Sequence, residues 1–160
     1  MCHKPFAIGH ICYNMPETPT ENLQPPAPNP YEKIPLILFI DDNPVDRAYV
    51  DKILTRNGFK VILAEDGPDG VKMAHKEIPD LILLDILLPK VSGIEISKQI
   101  KEDPAIAHIP VVFFTTLDAP RGFVNFSDYG AVGFIPKSIS TVDLIRQIKL
   151  ALNRNPKLHD

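Results

Sequence analysis

The sequence predicts an α/β fold in which helices cover both faces of a doubly wound, five-stranded parallel sheet. Short, continuous apolar runs alternate along the chain with segments of helical periodicity, as in repeated strand-helix units. The runs lack the polar alternation of a half-exposed strand, which indicates strands that are buried on both faces. With 160 residues, 44% of them hydrophobic, the chain is long enough for one such core and too short for two.

Five apolar runs are the candidate strands. They span residues 36–40, 61–64, 81–84, 111–115 and 132–135. Helices are predicted between them, the first three at 44–56, 68–76 and 93–101. Pro44 suits the opening turn of the first helix, and Gly58 follows its end.

The last two helices differ in the strength of their signals. A fourth helix at 121–129 has poor helix propensity, since it contains Gly122 and several aromatic residues. The fifth begins after Ser140, where residues 140–143 resemble a capping box. Apolar residues then recur on one helical face from Val142 to Leu152.

Proline divides the chain into a tail and a folded part. Residues 1–34 are dense in proline, which opposes helix and sheet alike and predicts a flexible N-terminal tail. The folded domain is predicted at 35–153, followed by a short C-terminal tail at 154–160. Both cysteines, Cys2 and Cys12, lie in the N-terminal tail, so the folded domain needs no disulfide or thiolate metal site.

Net charge and hydropathy argue against nucleic acid and membranes as binding partners. A net charge of −3 provides no basic surface for nucleic acid, so no direct nucleic-acid partner is expected. The sequence contains neither a run of about 18 apolar residues nor a secretion signal, so no membrane span is expected. The expected location is the cytoplasm.

Polar residues follow four of the apolar runs at the point where each run ends. They are Asp41 and Asp42 after the first run, Asp85 after the third, Thr115 at the end of the fourth and Lys137 beyond the fifth. Ligands of open parallel sheets bind outside the carboxyl ends of the strands. Singly, Asp42 or Asn43 could cap the first helix, and Lys137 could be an ordinary solvated charge. Asp85 is harder to explain in this way, because a carboxylate among apolar residues needs a partner to ionise.

Together these residues predict one site for a metal ion and a phosphoryl group. Three carboxylates at one edge repel each other, so a divalent cation would offset their charge, and oxygen ligands favour Mg²⁺. The Thr115 hydroxyl and the Lys137 ammonium could bind oxygens of a phosphoryl group carried on Asp85. Carboxylates are known nucleophiles that form aspartyl phosphates.

This spacing resembles the response regulator receiver family of two-component signalling, over residues 34–152. The two aspartates after the first strand are similar to the family's acidic pair. Residues 85–93 are similar to its phosphoacceptor loop, with a proline four residues and a glycine eight residues after Asp85. Thr115 follows Asp85 by thirty residues, and Lys137 follows Thr115 by twenty-two, as the family pattern implies.

The resemblance implies a flavodoxin-like receiver fold with strand order 2-1-3-4-5. It also implies a Mg²⁺ site. The metal ligands would be Asp42, Asp85 and the backbone carbonyl of Leu87, with Asp41 contributing through water.

The function implied by the resemblance is that of a stand-alone response regulator. A histidine kinase or phosphotransfer protein would donate a phosphoryl group to Asp85, and Thr115 and Lys137 would bind it. Thr115 and Phe134 would then switch the surface of the fourth helix, fifth strand and fifth helix, which a downstream protein recognises. No effector domain is expected, since the chain ends eight residues after Leu152. Beyond self-phosphorylation and self-dephosphorylation, no enzyme activity is expected.

Several positions depart from the family pattern or tune it. Thr116 stands where the family usually has alanine, which would narrow the entrance to the phosphoryl site. Ser138 replaces the proline that normally follows the lysine, and with it the basis for the cis peptide common there. Phe134 occupies the position of the switch aromatic. Leu87 and Leu117 cannot orient a water molecule, which predicts slow self-dephosphorylation.

Three other functions are compatible with parts of this pattern. A haloacid-dehalogenase phosphatase would need a general acid two residues after the nucleophile, where this chain has Leu87. A flavodoxin-like cofactor protein would need a phosphate-binding loop after the first strand, where this chain has two acidic residues. A receiver-fold interaction module that acts without phosphorylation stays open. In the tail, four possible zinc ligands lack the usual ligand spacing: Cys2, His3, His10 and Cys12.

Overall fold

The structure is a computed structural model that describes residues 33–117 and 126–155. The predicted N-terminal tail up to residue 32, with the four possible zinc ligands, lies outside the described residues. So do residues 121–125 of the predicted fourth helix and residues 156–160 of the predicted C-terminal tail.

The predicted parallel sheet is confirmed, with five strands in the order β2-β1-β3-β4-β5. The strands are β1 (Leu36–Ile40), β2 (Lys60–Ala64), β3 (Leu81–Leu84), β4 (Val111–Thr115) and β5 (Gly133–Pro136). Three strands have the predicted bounds, β2 begins one residue earlier, and β5 is shifted by one residue. Because β1 pairs in parallel with both β2 and β3, the order reverses at β1, and its carboxyl end faces the usual ligand crevice.

The described residues include four α-helices, which connect or follow the strands. They are α1 (Pro44–Arg56), α2 (Gly67–Glu77), α3 (Gly93–Glu102) and α4 (Thr141–Leu152). Each begins after a side chain that accepts a hydrogen bond from the first turn: Asn43, Asp66, Ser92 and Ser140. Asn43, rather than Asp42, therefore caps α1, which leaves the Asp42 carboxylate available to the site.

The sheet separates two hydrophobic clusters, because successive side chains of a strand point to opposite faces. Ile37 and Phe39 of β1 belong to one cluster, which includes residues of α1 and α4. Leu38 and Ile40 belong to the other, which includes residues of α2 and α3. All four of these β1 side chains are fully buried, so Asp41 follows a strand at the centre of the core.

The predicted fourth helix is wrong in its described part, which is a short 3-10 helix at Phe126–Tyr129. Gly130 ends it with a φ of 78°, a left-handed conformation that glycine adopts without steric strain. The backbone N–H of Gly130 donates to Ser127 at 3.0 Å, and that of Ala131 donates to Phe126 at 3.1 Å. This tight turn leads directly into β5 and leaves no room for a longer helical end.

Asp80, just before β3, joins both ends of the described fold. Its carboxylate accepts hydrogen bonds from Lys33 Nζ and from the Leu36 backbone N–H, each at 2.8 Å. Its backbone carbonyl accepts a 2.8 Å bond from the buried Asn155 side chain. Asn155 belongs to the predicted C-terminal tail, yet it is part of the packed structure. Within residues 33–117 and 126–155, none of the helices has the length and apolar character needed to cross a bilayer.

Candidate functional site

The centre of the site is the ammonium of Lys137, which lies among three carboxylates. Its Nζ atom is 2.6 Å from Asp41 Oδ2, 2.7 Å from Asp46 Oδ2 and 2.9 Å from Asp85 Oδ2. Only 11% of the Lys137 side chain is exposed, and Asp41 and Asp85 are buried. The structure thus brings together three of the predicted residues, from the carboxyl ends of β1, β3 and β5.

The strand pairing explains how residues so far apart in sequence meet. Asp41 N donates to Ala64 O at 3.1 Å, and Asp85 N donates to Ile40 O at 3.0 Å, which extends the sheet past each strand end. On the other side, Lys137 N donates to Thr115 O at 2.9 Å. The three site residues therefore leave the sheet at one edge, on backbones that are fixed by hydrogen bonds.

The pKa values of Asp41 and Lys137 are both raised, but for different reasons. Burial is the main reason that the pKa of the Asp41 carboxyl is raised, although hydrogen bonds from Lys137 and from the Asn43 N–H oppose it. Burial alone would lower the pKa of Lys137, but its bonds to Asp41, Asp46 and Asp85 outweigh this and raise it. Lys137 is therefore a fixed positive charge at neutral pH.

The loop after β3 holds Asp85 at both ends. Asp85 Oδ1 accepts a 3.0 Å hydrogen bond from the Leu87 N–H, so the Leu87 peptide lies beside the carboxylate. Gly93, at the start of α3, packs so closely on Asp85 that a Cβ atom there would lie 2.0 Å from the Asp85 carbonyl oxygen. Ser92 and Glu95 form a capping box that fixes this end of the loop. The Asp85 side chain is thus held in place before any ligand arrives.

The acidic residues fit a divalent cation. Asp41, Asp42 and Asp85 each offer a carboxylate oxygen, and these atoms lie within 4.8 Å of one another. Asp42 is exposed while the other two are buried, so the cluster opens to solvent on the Asp42 side. Carboxylate and carbonyl oxygens are the ligands that Mg²⁺ and Ca²⁺ prefer. The donor set therefore matches the predicted metal.

Thr115 and Phe134, the two predicted switch residues, lie on neighbouring strands. Thr115 is fully buried, and its Oγ1 accepts a 3.4 Å hydrogen bond from the Leu117 N–H. Phe134 is partly buried and stacks on Phe126, with ring centroids 5.4 Å apart and an interplanar angle of 16°. β4 and β5 are paired in parallel, with Thr115 opposite Pro136 and Phe113 opposite Phe134.

Sequence reasoning missed Asp46, the third carboxylate at Lys137. It lies in the first turn of α1, where an acidic residue has the general explanation of a favourable charge at the helix N-terminus. The available signal was its position five residues after Asp41. A side chain in the first turn of the helix that follows β1 can point back towards the end of that strand. The structure also describes two of the positions that depart from the family pattern. Thr116 is exposed, and there is no cis peptide bond among the described residues, in keeping with Ser138 after the lysine.

Comparison with known proteins places this geometry in a family. Residues 37–149 match the response regulator receiver domain. Response regulator PleD of Caulobacter vibrioides is 34% identical over 113 residues, which span 71% of this chain and only 25% of PleD. Protein PilH of Pseudomonas aeruginosa is 33% identical over 116 residues, 72% of this chain and 96% of PilH.

A solved structure matches the fold and has a metal at its site. The receiver domain of sensor histidine kinase PA1611 from Pseudomonas aeruginosa has a magnesium ion coordinated in its active-site cleft. It is 25% identical, with a TM-score of 0.68, and the match covers 76% of this chain and 99% of that structure. The family match spans most of the sequence, and the strand order is the one that the resemblance implied. The chain belongs to the response regulator receiver domain family.

Proposed function

We propose that this chain is a stand-alone response regulator whose Asp85 accepts a phosphoryl group from a histidine kinase or a phosphotransfer protein. The observation that carries the proposal is the contact between Asp85 and Lys137. A buried carboxylate lies 2.9 Å from an ammonium whose side chain is only 11% exposed, at the carboxyl end of β3 and beside two further aspartates. The match covers 96% of PilH, so at least one relative of this chain consists of little more than the matched region, which supports the proposal of a stand-alone regulator.

In the proposed reaction, a carboxylate oxygen of Asp85 attacks the phosphorus atom of a phosphohistidine on the donor. The new P–O bond forms as the P–N bond breaks, and the histidine leaves with the electron pair of that bond. The ammonium of Lys137 binds an oxygen of the transferred group, and the Thr115 hydroxyl can donate to another. Mg²⁺, when bound by the acidic residues, would supply neutralisation of the negative charge on the phosphoryl group.

The bonds of Lys137 keep its ammonium charged and hold it beside Asp85. Lys137 stays protonated because three carboxylates stabilise its charge, so its ammonium need not gain a proton when a phosphoryl group arrives. Hydrogen-bond donors that are already oriented need little reorganisation during a reaction. The phosphorylated protein would lose its phosphoryl group to water slowly, because Leu87 cannot orient a water molecule for attack. The chain would therefore act as a phosphoacceptor and not as an enzyme that releases a product.

The proposed output is a change of surface at β5 and its neighbours. If Thr115 moves towards Asp85 to donate its hydroxyl proton to a phosphoryl oxygen, the 3.4 Å bond that it accepts from the Leu117 N–H would change and the strand end would move. Phe134, on the paired strand, would then change its stacking on Phe126. A downstream protein would recognise the rearranged surface formed by the segment before β5, β5 itself and α4. The proposed partners are thus a kinase or phosphotransfer protein and one protein target.

The test is phosphorylation by a small donor. Incubation with acetyl phosphate and Mg²⁺ is expected to add one phosphoryl group, measured as intact mass, and Asp85→Asn should abolish the addition. Asp51→Asn, on α1 and away from the Lys137 contacts, is the matched control and should still be labelled. Labelling of Asp85→Asn at the wild-type rate would overturn the proposal. No labelling of any variant would favour an interaction module that acts without phosphorylation.

A further inference from the structure

Lys137 uses its full hydrogen-bonding capacity within the site. A lysine ammonium has three donor protons and no acceptor. The three carboxylates at 2.6, 2.7 and 2.9 Å account for all three protons. Because the side chain is only 11% exposed, an ammonium proton whose carboxylate partner is taken away has little access to water as a replacement acceptor. An unsatisfied buried donor is costly, and more so when it is charged.

A cation and Lys137 compete for the same carboxylates. Asp41 and Asp85 belong both to the group that can hold a metal ion and to the group that binds Lys137. Asp46 binds Lys137 but is absent from the metal-binding group of the described residues. Its side chain is 31% exposed, so it is also the least desolvated of the three.

We infer that Asp46 is a positioning residue that keeps the Lys137 ammonium paired when a divalent cation takes Asp41 and Asp85. The inference rests on the proposed function for its metal and its phosphoryl group, and it assigns Asp46 a role in both. In the cation-free site Asp46 shares Lys137 with the other two carboxylates. When the cation is bound, Asp46 holds Lys137 at the solvent-exposed side of the site, where the ammonium can contact an incoming phosphoryl group.

The consequence is that Asp46 lowers the free-energy cost of loading the cation. Without Asp46, the bonds of Lys137 to Asp41 and Asp85 would be its last charged contacts, and the cation would have to break them. With Asp46 present, one charge-assisted hydrogen bond survives. Such a bond is about twice as strong as a neutral one, and a difference of about 1.4 kcal/mol corresponds to a tenfold change in affinity.

A double-mutant cycle tests this role. The dissociation constant for Mg²⁺ is measured by calorimetry for wild type, Asp46→Asn, Lys137→Met and the double variant. Asp46→Asn should weaken Mg²⁺ binding about tenfold when Lys137 is present and clearly less in the Lys137→Met background, where no ammonium needs holding. Asp51→Asn removes an equal charge from the same helix and controls for the general loss of negative charge.

A simple electrostatic alternative predicts the opposite sign. If Asp46 only attracted the cation through space, its charge would act more strongly once Lys137 no longer neutralised it. Asp46→Asn would then weaken Mg²⁺ binding equally or more in the Lys137→Met background. That result would overturn the inference, as would an Asp46→Asn affinity equal to that of wild type.

A second measurement does not depend on the folding of the Lys137→Met variant. Acetic anhydride labels exposed lysine amines, and peptide mass spectrometry reports labelling at Lys137. With Mg²⁺ present, Lys137 should be labelled several-fold faster in Asp46→Asn than in wild type or Asp51→Asn; equal rates would contradict the inference. Both measurements use Mg²⁺ alone, so failure of Asp85 to take a phosphoryl group would overturn the proposed function without deciding the role of Asp46.

Discussion

The ammonium of Lys137 lies 2.6 Å from the carboxylate of Asp41, although 96 residues separate them in the chain. Asp41 is fully buried and follows the central strand β1, whereas Lys137 follows the edge strand β5. Asp41 therefore ionises in a place that water does not reach, with Lys137 as its main compensation. The site is built at the expense of stability, because burial opposes the charge of Asp41.

The first prediction concerns the pH dependence of stability without metal. Burial raises the pKa of Asp41 above its usual value of 3.8, so the folded state binds this proton more tightly than the unfolded chain does. The contribution of Asp41 to stability is therefore present at low pH and is lost as pH rises above 3.8 through the raised folded pKa. Asp41→Asn has no proton to lose.

Urea denaturation in EDTA between pH 3.5 and 7 measures this effect. The free energy of unfolding of Asp41→Asn, relative to wild type, should increase over that range. Asp51→Asn, measured in parallel, gives the effect of removing one carboxylate elsewhere. A relative stability of Asp41→Asn that falls between pH 3.5 and 7 would show that the bond to Lys137 outweighs burial.

The sequence predicted the sheet well because the buried strands have a strong local signal. β1 and β3 are apolar throughout, and β4 is apolar up to Thr115; each is preceded by a proline or an aspartate, so their bounds could be predicted from the sequence alone. The segment before β5 carries no such signal. Its described part is a 3-10 helix whose geometry depends on Gly130 and on the stacking of Phe126 against Phe134, a contact made only in the folded state.

The second prediction concerns Gly93, where α3 meets the Asp85 loop. A Cβ atom there would lie 2.0 Å from the carbonyl oxygen of Asp85, and backbone atoms cannot move aside without displacing the site. Gly93→Ala should lower the free energy of unfolding by about 2 kcal/mol, as expected for overpacking, and should slow phosphorylation. Gly133→Ala is the control, since a Cβ atom at Gly133 meets nothing within 4 Å. Similar urea midpoints for the two variants would contradict the assigned packing.

The third prediction concerns the lifetime of the phosphorylated state. Leu87 is 51% exposed on the loop that follows Asp85, and its side chain cannot orient a water molecule for in-line attack. Loss of the phosphoryl group should be several-fold faster in Leu87→Asn, which corresponds to about 1 kcal/mol of barrier. Leu150→Asn, a change at a 55% exposed leucine of α4, is the control. The rate of phosphoryl loss is measured by intact mass. Equal rates in Leu87→Asn and Leu150→Asn would contradict shielding by Leu87.

The fourth prediction concerns stability far from the site. Ile78 ends α2 with a φ of 45°, a left-handed conformation that strains a β-branched side chain. Asparagine adopts this conformation more readily, so Ile78→Asn should raise the free energy of unfolding by about 1 kcal/mol. Ile34→Asn replaces another exposed isoleucine and should give no such gain. A lower urea midpoint for Ile78→Asn would mean that the packing of Ile78 outweighs its strain.

The site was predictable where residues follow strands and unpredictable where they lie on a helix. The strand order of a parallel sheet brings the ends of β1, β3 and β5 to one edge, and this placed Asp41, Asp85 and Lys137 together. Asp46 reaches the same edge from α1, and its direction depends on how α1 packs. The local sequence does not determine how α1 packs on the sheet. From sequence alone, an acidic site residue in the first helical turn therefore looks the same as one that only stabilises the positive end of the helix dipole.

Location of the phosphoryl group is the measurement that bears most directly on Asp85. The protein is phosphorylated with acetyl phosphate and Mg²⁺ and then reduced with borohydride, which converts an aspartyl phosphate to homoserine. Peptide mass spectrometry should find homoserine at position 85 alone, and none without the donor. Homoserine at Asp41, Asp42 or Asp46, with Asp85 unchanged, would contradict the assignment of Asp85 as the phosphoacceptor.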